Sequence, residues 1–214
     1  MRAGLFGTRV EEKRWAAKKK DEIIRYWKDK ENPRRHFLVQ RVEMFSPVSS
    51  ILEVGCICGP NLYLLAKRFP QARIVGVDIN PLAIQLGKEL FKKEGLNNVE
   101  LFAKKADELS EFNDKEFDVI LTNALLIYID PDKIRKVIQE LARICEKGFV
   151  MAEWHVPEGT QEIYDPHIGV WRRNYETLLI DFFSKKSISI SKTPPELWPD
   201  EHWKEWGYII EIIL

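Results

Sequence analysis

The sequence predicts an α/β fold: a doubly wound, mostly parallel seven-stranded sheet with an antiparallel last strand, plus an N-terminal helical cap. Three observations carry this. Five apolar runs (ILEVG, ARIVGVD, NVELFA, FDVILTN and GFVMAEW) are separated along most of their length by helix-like segments. Alternation of that kind, with strands apolar on both faces, describes a parallel sheet covered on both sides. Two more strand-like runs, SISIS and GYIIEIIL, close the chain with no helix-length segment between them. Strands joined without a crossover helix pair antiparallel. Finally, two helix-like stretches precede the first strand and stand outside the alternation.

Taken in order, the first of these stretches runs from Glu11 to about Asp29. It sets Trp15, Ile23, Ile24, Tyr26 and Trp27 among charges, the pattern of one amphipathic helix. Pro33 opens the second, PRRHFLVQRVEMF, and SPVSS closes it. Together they define a cap over residues 1–46, with the main domain at 47–214. Helices follow at Asn61–Phe69, Leu82–Glu94 and Lys133–Cys145. Pro60, Pro81 and Pro131 each stand at a helix's first turn, with Asn80 and Asp130 placed to cap. Gly95 stops the second of the three. A last helix is expected around Tyr175–Phe183. If WRRNYETLL is helical, Arg172 and Arg173 point about 100° apart. The segment KTPPELWPDEHWKEW is proline-rich and aromatic.

At 214 residues, 45% hydrophobic and 31% charged, the chain has the composition of one globular domain with a sizeable core. No apolar run approaches the roughly 20 residues that cross a bilayer, so no membrane partner is expected. The stretch MRAGLFGTRVEEKRW lacks the apolar core of a signal peptide. Three cysteines, Cys56, Cys58 and Cys145, are an odd number and point to reduced thiols and a cytoplasmic setting. No second Cys/His pair at ligand spacing accompanies Cys56 and Cys58, so no metal is expected. Residues 1–45 hold 13 Lys/Arg against 7 Asp/Glu, in a chain of zero net charge. A solvated helix face explains that surplus better than a nucleic-acid surface.

The chemistry concentrates in ILEVGCICGPNLYLLAKRFP, a strand, a glycine turn and a helix. In an open α/β sheet, ligands bind beyond the carboxyl ends of the strands. Gly55 lets the backbone bend straight after the strand, and Gly59 permits close approach at a helix start whose free N–H groups favour polar atoms. Glu53 is an acid in an apolar strand, and a buried carboxylate needs a partner. That partner is either a cationic group of a ligand or the turn's own amides. Asp78 ends the second strand, where an acid accepts hydrogen bonds from a ribose diol. It also starts the DINP helix cap, and the two roles are compatible.

LEVGCICGPNLYLLAKRFP followed by IVGVDINPLAIQLGKEL resembles motifs one and two of the Rossmann-like (class I) S-adenosylmethionine-dependent methyltransferases, the small-molecule type. FDVILTNALLIYIDPDKI resembles that family's fourth-strand motif, GFVMAEWH its fifth strand, and the closing strands its antiparallel seventh. The resemblance covers about Ile51–Glu153. It implies S-adenosyl-L-methionine as cofactor. Glu53 matches the acid of motif one, and Gly55 and Gly59, with Cys56 between them, match the turn along the methionine moiety. Asp78 matches the acid on both ribose hydroxyls, Ile79 and Ala106 flank the adenine, and Asn123 faces the methyl-transfer site. There are departures. Ile57 replaces the usual middle glycine, which freely takes positive φ. Lys105 stands where an acid commonly meets the adenine amino group, with Asp107 two positions on. NALLIYI is not the Asn-Pro-Pro-aromatic motif of amino-group methylases acting on nucleic acids or proteins.

Methyl transfer gains chiefly from positioning. A base is needed only where the acceptor must lose a proton. His155, after the fifth strand, is the first candidate base, and a histidine bonded to a loop carbonyl is the plain alternative. His167 is the second candidate. Tyr128 is placed to wall the methyl site or to bond the acceptor. Arg172 offers a clamp for a substrate carboxylate or phosphate, and Trp154 an aromatic wall. Both also have ordinary readings, as a surface arginine and a core indole. The chain length and the lid-like N-terminus point to a small-molecule acceptor with a hydroxyl or carboxylate, and GCICGPNL resembles methylases of surface-sugar biosynthesis, which implies a sugar-linked one. Two other classes compete with this reading: a methyltransferase-like binding protein without catalysis, and a nicotinamide dehydrogenase. Glu53 and Asp78 weigh against the first, and the absent third-glycine pattern against the second.

Overall fold

In the computed structural model, which describes residues 7–157 and 159–214, the five apolar runs are parallel strands. They are β1 (Ser50–Val54), β2 (Arg73–Asp78), β3 (Val99–Ala103), β4 (Phe117–Asn123) and β5 (Cys145–Trp154). The closing strands are β8 (Ile188–Lys192) and β9 (Gly207–Ile213), and β9 runs antiparallel to both β5 and β8. The sheet order is β3-β2-β1-β4-β5-β9-β8. The chain therefore leaves β1 in one direction to build β2 and β3, then returns past β1 to build β4 and β5. That reversal puts the switch point at the carboxyl ends of β1 and β4, where a ligand crevice opens.

Helices α4 (Pro60–Arg68), α5 (Pro81–Glu94) and α6 (Pro131–Ile144) each begin on the expected proline. Asn80 caps α5 by accepting from the Ala83 N–H at 3.0 Å. Gly95 ends α5 at φ +70°. The Asp130 side chain does not bond the α6 amides. One face of the sheet packs Ile51 and Ile74 against Leu62, Leu65, Ile84 and Phe91. The other packs Leu52, Val75 and Ile120 against Ile134, Val137 and Leu141. Successive strand residues alternate between the two cores.

The cap differs from expectation. Residues 1–6 of it lie outside the described residues, and the remainder is three helices: α1 (Gly7–Ala16), α2 (Lys20–Lys28) and α3 (Pro33–Glu43). The single helix expected from Glu11 to Asp29 is broken at residues 17–19, because other partners take the groups it would have bonded. Asn80 Nδ2 donates to the Trp15 and Lys18 carbonyls at 2.9 and 3.2 Å, and the Glu22 carboxylate takes the Lys19 N–H at 3.1 Å. Ile23, Trp27, Leu38 and Val39 from the cap join the same core as Leu62 and Phe91.

The region after β5 holds a second correction. Trp171 to Arg173 are not helical. Val170–Arg172 is a short strand, β7, paired antiparallel with β6 (Ile163–Asp165). Arg172 faces Asp165 across this hairpin at 2.5 Å. The following helix, α7, spans only Tyr175–Leu179, capped by Asn174. A six-residue helix, α8 (Glu201–Trp206), sits in the proline-rich segment before β9. Among the described residues no helix is long and apolar enough to cross a membrane.

Candidate cofactor site

The crevice at the switch point is a cavity of about 220 Å³, floored by the first turn and by the loop after β4. Trp15 of α1, Tyr26 of α2, Trp198 and Trp203 line it from above. The first turn carries three positive φ values in five residues: Gly55 at +80°, Ile57 at +54° and Gly59 at +86°. At Gly55 a Cβ would stand 2.9 Å from the Leu125 side chain, so glycine is needed there for space as well as conformation. Ile57 adopts the left-handed conformation despite its branched side chain, at a cost of roughly 1–2 kcal/mol. Its N–H donates to Asp78 Oδ2 at 2.8 Å, and that bond holds it there. The turn thus keeps the shape a middle glycine would give.

Asp78 is tied on both oxygens, with Oδ1 accepting from the Asn80 N–H at 2.9 Å. Burial raises its pKa, and the two amide bonds oppose that rise. Glu53 is more deeply enclosed, at 2% exposure. Its Oε1 accepts from Asn61 Nδ2 at 2.6 Å, and its Oε2 has no hydrogen-bond partner among the described residues. Burial pushes this carboxyl up to about 7, with Arg35 and the Asn61 bond working in the opposite direction.

The loop after β4 is held from two sides. Glu153, an acid near the end of β5, accepts from Thr122 Oγ1 at 2.9 Å, the Leu125 N–H at 3.1 Å and the Ile127 N–H at 3.3 Å. Arg173 donates to the Leu126 carbonyl at 2.5 Å and also to the Ile129 carbonyl, and it pairs with Glu162. Between these charges the loop passes through Ala124 at φ +53° and turns Tyr128 into the cavity, edge-on to Trp15 at 5.0 Å. At the far end Lys133 joins Glu12 of α1 and Asp107, while Lys105 lies 3.8 Å from Glu12.

Of the residues singled out in the sequence, Glu53, Gly55, Cys56, Asp78, Ile79, Ala106, Asn123 and Tyr128 line this cavity together. Gly59 does not. It caps α4 beneath Phe91, whose ring would meet an added Cβ at 2.7 Å. Trp154 and His167 line an adjoining cavity that shares Ala124, Tyr128 and Trp203 with the first. His155 requires a correction. It is 6% exposed, its Nδ1 accepts from the Tyr175 N–H at 3.2 Å, and its ring packs edge-on to Tyr208 at 4.8 Å. The cause is strand alternation: Trp154 faces the cavity, so its neighbour faces away. Burial also lowers the His155 pKa. Arg172 is likewise displaced, bonded to Asp165 with its guanidinium 4.9 Å from the Trp206 ring centroid.

Sequence reasoning missed Arg35, Asn61, Trp15, Tyr26, Glu153 and Arg173 as parts of the site. Glu153 carried the signal that exposed Glu53, an acid inside an apolar strand. Among the described residues no cluster of three or more His, Cys, Asp or Glu is placed to hold a metal.

A doubly wound sheet of this order, with an acid-and-glycine turn and a second acid at the end of β2, is the arrangement that the resemblance to class I methyltransferases implies. The chain matches, over residues 51–148, a family described as methyltransferase domain. It is 32% identical over 110 residues to malonyl-(acyl-carrier protein) O-methyltransferase of Priestia megaterium, covering 50% of this chain and 38% of that protein. It is 28% identical over 121 residues to ribosomal protein L11 methyltransferase of Caldanaerobacter subterraneus, covering 56% and 37%. The matched stretches therefore span well under two thirds of these relatives. The fold is shared with geranyl diphosphate C-methyltransferase of Streptomyces coelicolor, solved with Mg2+, a geranyl-S-thiolodiphosphate and S-adenosyl-L-homocysteine. The TM-score is 0.67 at 14% identity, over 84% of this chain and 74% of that one. The donor set fits the expected S-adenosylmethionine: Glu53 Oε2 has no hydrogen-bond partner among the described residues, and the Asp78 carboxylate stands in the same cavity at the end of β2.

Proposed function

We propose that this protein transfers the methyl group of S-adenosylmethionine to a small-molecule acceptor bearing a hydroxyl or carboxylate, with sugar-linked metabolites the favoured class. The observation that supports it most is the unpartnered oxygen of buried Glu53, set in the same turn whose amide is held by Asp78. Bound there, S-adenosylmethionine supplies an electrophilic methyl group on a sulfonium whose charge is lost on transfer. Glu53 takes the amino group, Asp78 the ribose hydroxyls, Ile79 and Ala106 flank the adenine, and Asn123 and Tyr128 face the acceptor.

The chain's own contribution is position and dryness. Glu153 and Arg173 fix the loop that carries Asn123 and Tyr128, and ordering of this kind supplies up to roughly 7–11 kcal/mol. Residues 1–46 serve as a lid over the 47–214 domain, with Trp15 and Tyr26 excluding water above the site. Burial pushes the Tyr128 hydroxyl up to about 12, so at neutral pH it donates a hydrogen bond to the acceptor and does not act as a base. The adjoining cavity beside Trp154 takes the acceptor. His167 lines it, and so succeeds His155 as the candidate base where a hydroxyl must lose its proton. A carboxylate acceptor needs none. The three cysteines are free and buried, which supports a cytoplasmic, reducing setting.

Calorimetric titration with S-adenosylmethionine, and in parallel with NADH, tests the reading. Micromolar binding of S-adenosylmethionine alone is expected, abolished in Asp78→Ala. Release of S-adenosylhomocysteine on addition of hydroxylated or carboxylated metabolites then identifies the acceptor. Binding without turnover across such a screen favours the non-catalytic alternative.

A further inference from the structure

The cap sends a buried arginine to the back of the cofactor turn, and neither motif one nor motif two accounts for it. Arg35, on α3, is 3% exposed. Its Nη1 donates to Asn61 Oδ1 at 2.7 Å, its Nε to the Asp29 carbonyl at 2.9 Å, and its Nη2 lies 3.4 Å from Asp29 Oδ2. Asn61 then donates to Glu53 Oε1 at 2.6 Å. The amide of Asn61 is oriented by this pair, its oxygen to the cation and its nitrogen to the carboxylate. Burying a guanidinium is costly unless its charge is used. Here its carboxylate partner, Asp29, is itself one-third exposed, while Nη1 bonds the Asn61 amide that in turn bonds Glu53.

The groups around Glu53 leave Arg35 a distinct part. Asp78 from β2 adds like charge that disfavours ionisation. The Cys56 and Cys58 thiols of the turn are pushed up by burial and stay neutral near pH 7. Arg34, beside Arg35 on α3, pairs with Asp29 at 2.8 Å. Arg35 is the cation that draws the Glu53 carboxyl down.

We propose that Arg35 is a positioning residue for cofactor capture: acting through Asn61, it keeps Glu53 ionised and turned for the amino group of the ligand, so capture requires a seated cap. This rests on the methyltransferase reading and adds to it that a cap residue sets the pH range of binding.

The test is the affinity for S-adenosylhomocysteine, measured calorimetrically between about pH 5.5 and 8, with thermal unfolding at each pH. For the wild type, affinity should rise with pH and level off above about 7, as Glu53 loses its proton. In Arg35→Gln the midpoint should move up by about one unit, so that the deficit is about tenfold near pH 6 and about twofold by pH 8. Arg35→Lys keeps the charge and should lie between the two. If Arg35→Gln does not fold, Arg35→Lys decides alone, a loss that narrows with pH supporting the proposal. A loss of equal size at every pH, or no loss, overturns it and leaves Arg35 a packing residue. A wild type that binds with pH-independent affinity sinks this inference alone. One that binds neither S-adenosylhomocysteine nor S-adenosylmethionine sinks the methyltransferase reading as well.

Discussion

Glu53 and Glu153 occupy equivalent places and do different work. Each lies near the end of an apolar parallel strand, each is shut away from solvent, and burial pushes each carboxyl up to about 7. Glu153 is enclosed by the protein's own donors, a threonine hydroxyl and two loop amides. Among the described residues Glu53 has one such donor, Asn61, and an oxygen without any. Burial and a raised pKa do not separate a carboxylate that shapes a loop from one that the proposed function assigns to a ligand. The count of hydrogen-bond donors does.

That contrast can be broken most readily on the loop side. Arg173→Ala strips the Leu126 and Ile129 carbonyls of their donor and leaves Glu162 without this partner. It should lower the unfolding free energy by about 3 kcal/mol in urea denaturation, and a loss below about 1 kcal/mol would show that the loop stands unaided. Glu153→Gln turns an amide N–H toward donors and should cost about 1–3 kcal/mol on the same measurement. Its affinity for S-adenosylmethionine, assayed where the variant is folded, should fall less than that of Glu53→Gln.

Glu53→Gln should do the reverse. Stability should stay within about 1 kcal/mol of wild type, because Asn61 can still donate to the amide oxygen, while cofactor affinity drops about tenfold or more. If both variants lose stability alike, the distinction fails. The two acids also bear on pH. Each carboxyl sits above its ordinary value of 4.5 in the folded state, so the folded protein holds these protons more tightly than the unfolded chain. Their contribution to stability is present at acid pH and is lost as pH rises toward about 7. Melting of the ligand-free protein should show this decline, and Glu53→Gln should flatten part of it. The smallest effect belongs to Ile57→Gly. Relief of the left-handed conformation offsets the lost side-chain packing, and the net change should be under about 1 kcal/mol.

The sheet and the first turn were legible because their signals are local. A proline at each helix start, a glycine at a stop and an acid at a strand end each act within a few residues. The break in the cap helix was not, since the groups that satisfy it come from Asn80, far along the chain. Arg35 was hidden among the many basic residues of the cap, and only packing distinguishes it. Strands β6 and β7 are three residues each, and their pairing depends on a hairpin that periodicity over so short a span does not reveal. His155 is the instructive miss. Its distance along the chain from the strand's end suggested the site, whereas the period of two, with Trp154 facing the cavity, already placed it on the opposite side.

Asn80 ties three neighbourhoods to one residue. Its backbone N–H donates to Asp78, its side-chain Oδ1 accepts from the Ala83 N–H at the start of α5, and its Nδ2 donates to the Trp15 and Lys18 carbonyls at the gap between α1 and α2. The junction of α1 and α2 therefore has no hinge independent of Asp78, and both inherit their placement from residue 80. Substitutions at Asp78 and Asn80 will be non-additive. A different cap could not be grafted onto this domain without rewriting that position too, so the cap and Asp78 are constrained to diverge together.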